Sequence, residues 1–239
     1  MSTPAPNQMA LIKQYLKNRV DTEIIGTGSP FITISRQSAA GGHTLARCVL
    51  QEMDKHPDEE LFRGWEMFDE KLCAVVAQSD VDSVSYESLV SEDYQSGLHQ
   101  TIYDMLVGHS EQFSTYKRIF EVVKTLASIG KVIIIGRAGV FVTAQMPAGI
   151  HLRLVAEEAK RVRWARERLE VAEAKAVELV RKQDRDRERL VKDFFDKDIN
   201  EATHYDAIFN TGRMEHRDLA KMILHMIRAK AAETGVETL

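Results

Sequence analysis

The chain has 239 residues, 36 acidic and 32 basic side chains and a formal charge of -4 at pH 7; 44% of it is hydrophobic and 28% charged. That is the composition of a soluble protein with room for one sizeable α/β core. The acidic balance excludes a general attraction to nucleic acid or anionic lipid, and two cysteines, Cys48 and Cys73, are too few for a disulfide framework or a cysteine metal cluster. No apolar run reaches the ~18 to 20 residues of a membrane span, and the start MSTPAPNQM lacks a signal-peptide core, so a cytoplasmic location is expected.

Residues 1–30 read as an appendage. Met9–Val20 carries apolar residues at positions 9, 12, 16 and 20, the spacing of a short amphipathic helix, and Gly26, Gly28, Ser29 and Pro30 then break the chain. From Phe31 the pattern changes. Phe31, Ile32, Thr33 and Ile34 predict a buried strand, Ser35-Arg36 ends it, and the small residues Ser38, Ala39, Ala40, Gly41 and Gly42 lead through His43 into a helix from Thr44. A loop of this kind leaves backbone N–H groups unpaired in front of a helix dipole, which suits a phosphate chain, and two glycines let an anion approach closely. The same residues also fit a strand-to-helix turn with no ligand. The pattern G-x-x-x-x-G-K-[ST] is not met, because Arg36 stands at its first Gly and Gly42 at its Lys.

Further on, Thr44–Met53 is helical, with Leu45, Cys48, Val49 and Met53 on one face. Residues 65–69 (WEMFD) form a short strand ending in Asp69, Glu70–Ala77 a helix, and the polar stretch Asp80–Gln112 loops and short helices around a cleft. Phe113–Ile129 is an amphipathic helix closed by Gly130. Lys131–Gly136 (KVIIIG) is a strand buried on both faces, as in the middle of a parallel sheet. Arg137 follows at the strand edge where open α/β sheets bind ligands, ahead of a helix over Val140–Gln145. Ile150–Val155 and Tyr205–Asn210 read as strands. The segments Glu157–Leu169, Ala172–Phe195 and His216–Ala232 read as helices, the last with Leu219, Met222, Ile223, Met226 and Ile227 inward. Alternating strands and helices predict an α/β fold, a three-layer parallel sheet with helices on both faces.

Two kinds of residue could carry chemistry. Arg137 and Arg36, each just past a strand, could fork onto a phosphate or carboxylate, or each could pair with a neighbouring acid. The two charged helices mix arginines with acids, which usually makes a solvated face. Yet Arg181, Asp184 and Arg187 share one stripe, and Arg161 and Arg168 lie seven apart on the preceding helix. Facing arginines on two antiparallel helices would make a lid that closes over a polyphosphate.

The segments ITISRQSAAGGHTLA, VIIIGRAG, the charged helices and HYDAIFNT together resemble the cytidylate-kinase-like family of nucleoside monophosphate kinases. In the branch concerned the phosphate loop reads roughly SRxxGxGG. Its lid reads RxxxxxER, then a turn, an Ala and K-x-D-x-x-R. Here these are Arg161, Glu167-Arg168, Val171-Ala172-Glu173, Ala176, and Lys182-Gln183-Asp184 with Arg187, followed by Lys197-Asp198-Ile199 and Tyr205–Thr211. The resemblance implies a P-loop kinase fold over residues 31–239, with an arginine-bearing lid at about 157–198. It also implies transfer of the γ-phosphoryl group of ATP to CMP or dCMP, with Mg²⁺ bridging the nucleotides. By position, Arg36 and Ser38, Ala39, Ala40, Gly41, Gly42, His43 and Thr44 would hold the ATP phosphates, with Thr44 near the metal. Arg137 and Asp69 would serve the acceptor, and Arg137, Arg161, Arg168, Asp184 and Arg187 would surround the transferring group. Ala39 stands where relatives keep a loop Gly, His43 where they often have Arg, and Ala138 where better-characterised cytidylate kinases have Asp.

Small-molecule nucleotides are the expected partners, with neither nucleic acid nor membrane. Two alternatives share the fold: a non-catalytic nucleotide-binding regulatory protein, and a kinase for another small phosphorylated or hydroxyl acceptor. An RNA-binding role for the arginine helices is disfavoured by their interleaved acids.

Overall fold

The computed structural model describes residues 28–69 and 111–235, and of residues 111–115 the backbone alone. The helices expected at Met9–Val20 and Glu70–Ala77, Cys73, and nearly all of the polar stretch 80–112 lie outside the described residues. The elements run β1 (Phe31–Arg36), α1 (Gly42–Met53), β2 (Glu66–Phe68), α2 (Glu111–Ile129), β3 (Val132–Ile135), α3 (Gly139–Val142), β4 (Gly149–Val155), α4 (Glu158–Leu169), α5 (Glu173–Phe195), β5 (Ala207–Asn210) and α6 (His216–Glu233). Short 3-10 turns precede β2 and β5.

All five strands are parallel, in the order β2-β3-β1-β4-β5. The apolar run of KVIIIG does lie inside the sheet, but the middle strand is β1, flanked by β3 and β4. Ile32, Thr33 and Ile34 of β1 pair with Ile133, Ile134 and Ile135 of β3, so the two loops that follow these strands emerge side by side at the carboxyl edge.

One face of the sheet packs on α1 and α6 through Leu45, Val49, Leu219, Ile223 and Ile227, and the other on α2, α3 and the segment after it through Val123, Leu126, Val142 and Ala148. This is the three-layer α/β arrangement of the P-loop kinase type. The α4–α5 hairpin has a small core of its own, Val162, Ala165, Ala176 and Val180. Among the described residues no helix is long and apolar enough to cross a membrane.

Three local expectations are corrected. The helix after Arg137 is a single turn, Gly139–Val142, rather than Val140–Gln145. It stops where Thr143 leaves helical geometry and turns its hydroxyl back to the Gly139 carbonyl at 2.8 Å. Met222 is 45% exposed and not inward, because the buried stripe of α6 runs through Leu219, Ala220, Ile223, Leu224, Ile227 and Ala231. Arg181 leaves the stripe of Asp184 and Arg187 to bond Glu158 on the solvent side at 2.7 Å.

Candidate active site

The loop Gln37–Gly41, where the ATP phosphates are expected, is anchored at several points. Gln37 is anchored to β4, its N–H donating to the Leu154 carbonyl at 3.0 Å and its side-chain oxygen accepting from the Ala156 N–H at 3.0 Å. The Thr211 hydroxyl, from HYDAIFNT, donates to the Ala40 carbonyl at 3.0 Å. Gly41 has φ +86°, and a Cβ there would fall 2.2 Å from Nε2 of His216 at the start of α6. Only glycine meets both demands. His216 was not singled out by the sequence; its ring is the wall under the loop, and burial keeps its pKa below the ordinary value.

Gly42, His43 and Thr44 open α1, where the first N–H groups of a helix lack partners within it. Among the described residues none of these three amides meets an acceptor. They and the helix dipole therefore remain available to an anion. Thr44 is exposed on this first turn, and His43 Nε2 lies 3.2 Å from Asp69 at the end of β2.

Beside the loop, Gly136, Arg137 and Ala138 have φ values of +79°, +54° and +51°, three successive left-handed residues. Left-handed backbone is costly outside glycine, and such strain concentrates where a structure holds a functional side chain in place. At Gly136 a Cβ would meet both a φ of +79° and Nη1 of Arg36 at 1.9 Å, so a larger residue there would displace the Arg36 guanidinium. The Arg36 side chain thus lies across the β3 turn, and Arg36, Arg137 and Arg187 line one small cleft with Ser35, Val140 and Phe141.

The cleft concentrates positive charge. Burial, then Arg187 and Arg137, push the Arg36 pKa down to about 9 against Asp69 and Asp184. Burial likewise brings Arg137 down to about 10, opposed by Asp69, and lowers Arg187 against the pull of Asp184. All three remain charged at neutral pH. Like charges confined together in low dielectric favour a ligand carrying negative charge.

Behind the cleft, Arg153 is 4% exposed on β4. It donates to the Ser35 hydroxyl at 2.9 Å and to Asn200 Oδ1 at 2.7 Å, and lies over the Tyr205 ring at 5.6 Å. The alternation of β4 gave no sign of this burial.

The lid residues separate into two groups. Arg161 is buried, with Nη1 2.6 Å from Asp184 Oδ2, and Arg187 Nη1 donates to Asp184 Oδ1 at 3.1 Å. Asp184 also accepts from the Ser38 N–H at 2.6 Å, so this loop amide is engaged by the lid itself. Arg168 is exposed on the last turn of α4, two turns beyond Arg161, and stands apart from this cluster. Among the described residues no group of three or more His, Cys, Asp or Glu side chains could hold a metal ion by itself. A magnesium ion takes most of its ligands from phosphates and water, and the exposed Thr44 hydroxyl fits such a shared site.

Comparison with curated proteins finds no match. Among solved structures, an uncharacterized protein from Eubacterium ventriosum ATCC 27560 is similar in fold at TM-score 0.62 and 17% identity, over 84% of this chain and 99% of that one. A shikimate kinase from Bacteroides thetaiotaomicron aligns at TM-score 0.46 and 10% identity, over 83% of this chain and 98% of that one. Residues 31–213, which hold the phosphate loop, the arginine cleft and the lid, match the cytidylate kinase-like family, and the chain belongs to that family.

Proposed function

We propose that the protein transfers the γ-phosphoryl group of ATP to the phosphate of a nucleoside monophosphate, with CMP or dCMP as the acceptor. The observation that carries this reading is the cleft shared by Arg36, Arg137 and Arg187 at the carboxyl edge of the sheet, next to a loop with open amides. Donor phosphates would lie against the N–H groups of Gly42, His43 and Thr44. The acceptor phosphate would be forked by Arg137, and Arg36 would serve the donor phosphates from the same cleft. Val140 and Phe141 give the same cleft an apolar side, which suits a flat organic group attached to the phosphate.

The acceptor oxygen is already anionic, so no general base is required. Catalysis would rest on alignment of donor and acceptor and on stabilisation of spreading negative charge, the second supplied by Arg187 from the lid and Arg137 from the sheet. Bound Mg²⁺ would supply further neutralisation of the phosphates, with Thr44 as its protein ligand.

The test is ADP formation from ATP and Mg²⁺ with CMP, dCMP, UMP, AMP and GMP offered singly, beside a control without acceptor. Turnover with CMP or dCMP well above the rest supports the full reading. Preference for another monophosphate keeps the reaction and replaces the acceptor. No turnover with any of them, while ATP still raises the melting temperature, favours the non-catalytic nucleotide-binding alternative.

A further inference from the structure

The phosphate loop grips the lid at two successive residues. At Ser38 the N–H donates to Asp184 Oδ1 and the hydroxyl to Gln183 Oε1, both at 2.6 Å, while the Ser38 carbonyl accepts from Arg161 Nη1 at 3.2 Å. At Ala39 the backbone is left-handed, φ +60°, and the side chain packs against the hairpin core of Val162, Ala165, Ala176 and Val180. A left-handed alanine is less favourable than glycine. Its methyl group, however, joins the loop to the apolar core of the lid.

We infer that Ser38 and Ala39 are positioning residues: they clasp the α4–α5 hairpin onto the phosphate loop. They act through Asp184, which takes both Ser38 and Arg187 on its carboxylate and so orients Arg187 at the cleft. Ordering Arg187 in advance removes part of the entropy cost of assembling the site.

Amide hydrogen exchange across residues 180–187 in the ligand-free full chain tests the clasp. Ala39→Gly relieves the backbone while removing the methyl group, Ser38→Ala removes the hydroxyl bond, and Gln183→Leu removes the same bond from the other side. Each is expected to speed exchange in this stretch by about 3- to 10-fold, with protection of β1 and β3 retained. Gln183→Glu keeps an acceptor for Ser38 and is expected to restore slow exchange. Wild-type exchange rates in all three weakened variants would overturn the inference, and Gln183, being exposed, keeps the test open if a loop variant fails to fold.

The catalytic consequence rests on the phosphotransferase reading. There Gln183→Leu should lower kcat more than it raises the acceptor KM, because Arg187, which the clasp orients, acts on the charge that spreads during transfer. The exchange measurement needs no turnover, so a failure of the clasp and a failure of the proposed reaction give different results.

Discussion

The Ser38 amide and the Asp184 carboxylate, 146 positions apart in the chain, meet in a 2.6 Å hydrogen bond. A carboxylate on a phosphate-loop amide, flanked by Arg161 and Arg187, repeats within the protein the recognition of an anion by backbone and arginine. That contact links the loop, the lid and the cleft into one unit.

Removing one member of this unit exposes its energetics. Arg161 is 6% exposed at the side chain and Asp184 21%, and loss of the acid leaves a buried guanidinium without its counter-charge. Asp184→Ala is expected to cost about 3 kcal/mol in chemical denaturation, and adding Arg161→Met should return much of it. Equal, additive losses would show that the two side chains do not couple.

Arg137→Ala should lower kcat/KM by about 10² to 10³-fold, the loss typical of one preorganised charge-stabilising group. Arg137 projects into the cleft from a turn outside the sheet, so circular dichroism and melting should stay close to wild type. Retained full activity would remove Arg137 from the site.

At Gly41, alanine meets both the positive φ and the His216 ring. Gly41→Ala should destabilise by about 1–3 kcal/mol and weaken ATP binding measured by calorimetry. Combining it with His216→Ala removes the collision but leaves the backbone conformation, so recovery should be partial. Full recovery would mean that the φ value carries no cost.

Burial lowers the pKa of both His216 and His151 below the ordinary 6.5. Below that value the unfolded chain takes up protons that the folded chain resists, so stability is complete above it and falls as pH drops. Melting temperature should therefore decrease from pH 7.5 to pH 5.5, and the slope should flatten in His216→Gln combined with His151→Gln. An unchanged slope in the double variant would assign the pH dependence to other groups.

The sheet was legible because its strands carry strong local signals: FITI and VIII are runs that favour buried parallel strands. The loop and Arg137 were legible from their positions just beyond those strands. Arg153 was not, because the alternation in IHLRLV looks the same whether an arginine meets water or, as here, Ser35, Asn200 and Tyr205 from distant segments. Met222 failed for a related reason: its hydrophobicity fits the buried stripe, but its angle around α6 does not. The contacts of Ser38 with the lid have no local signature, since they depend on how a hairpin more than a hundred residues away docks on a loop.

The most direct test of the proposed reaction is phosphorus NMR of ATP, Mg²⁺ and CMP incubated with the full chain. Phosphoryl transfer predicts that the ATP γ-phosphate signal falls while CDP and ADP signals rise together in equal amounts. Persistence of ATP and CMP, or release of inorganic phosphate without CDP, would contradict the assignment of this cleft to CMP phosphorylation.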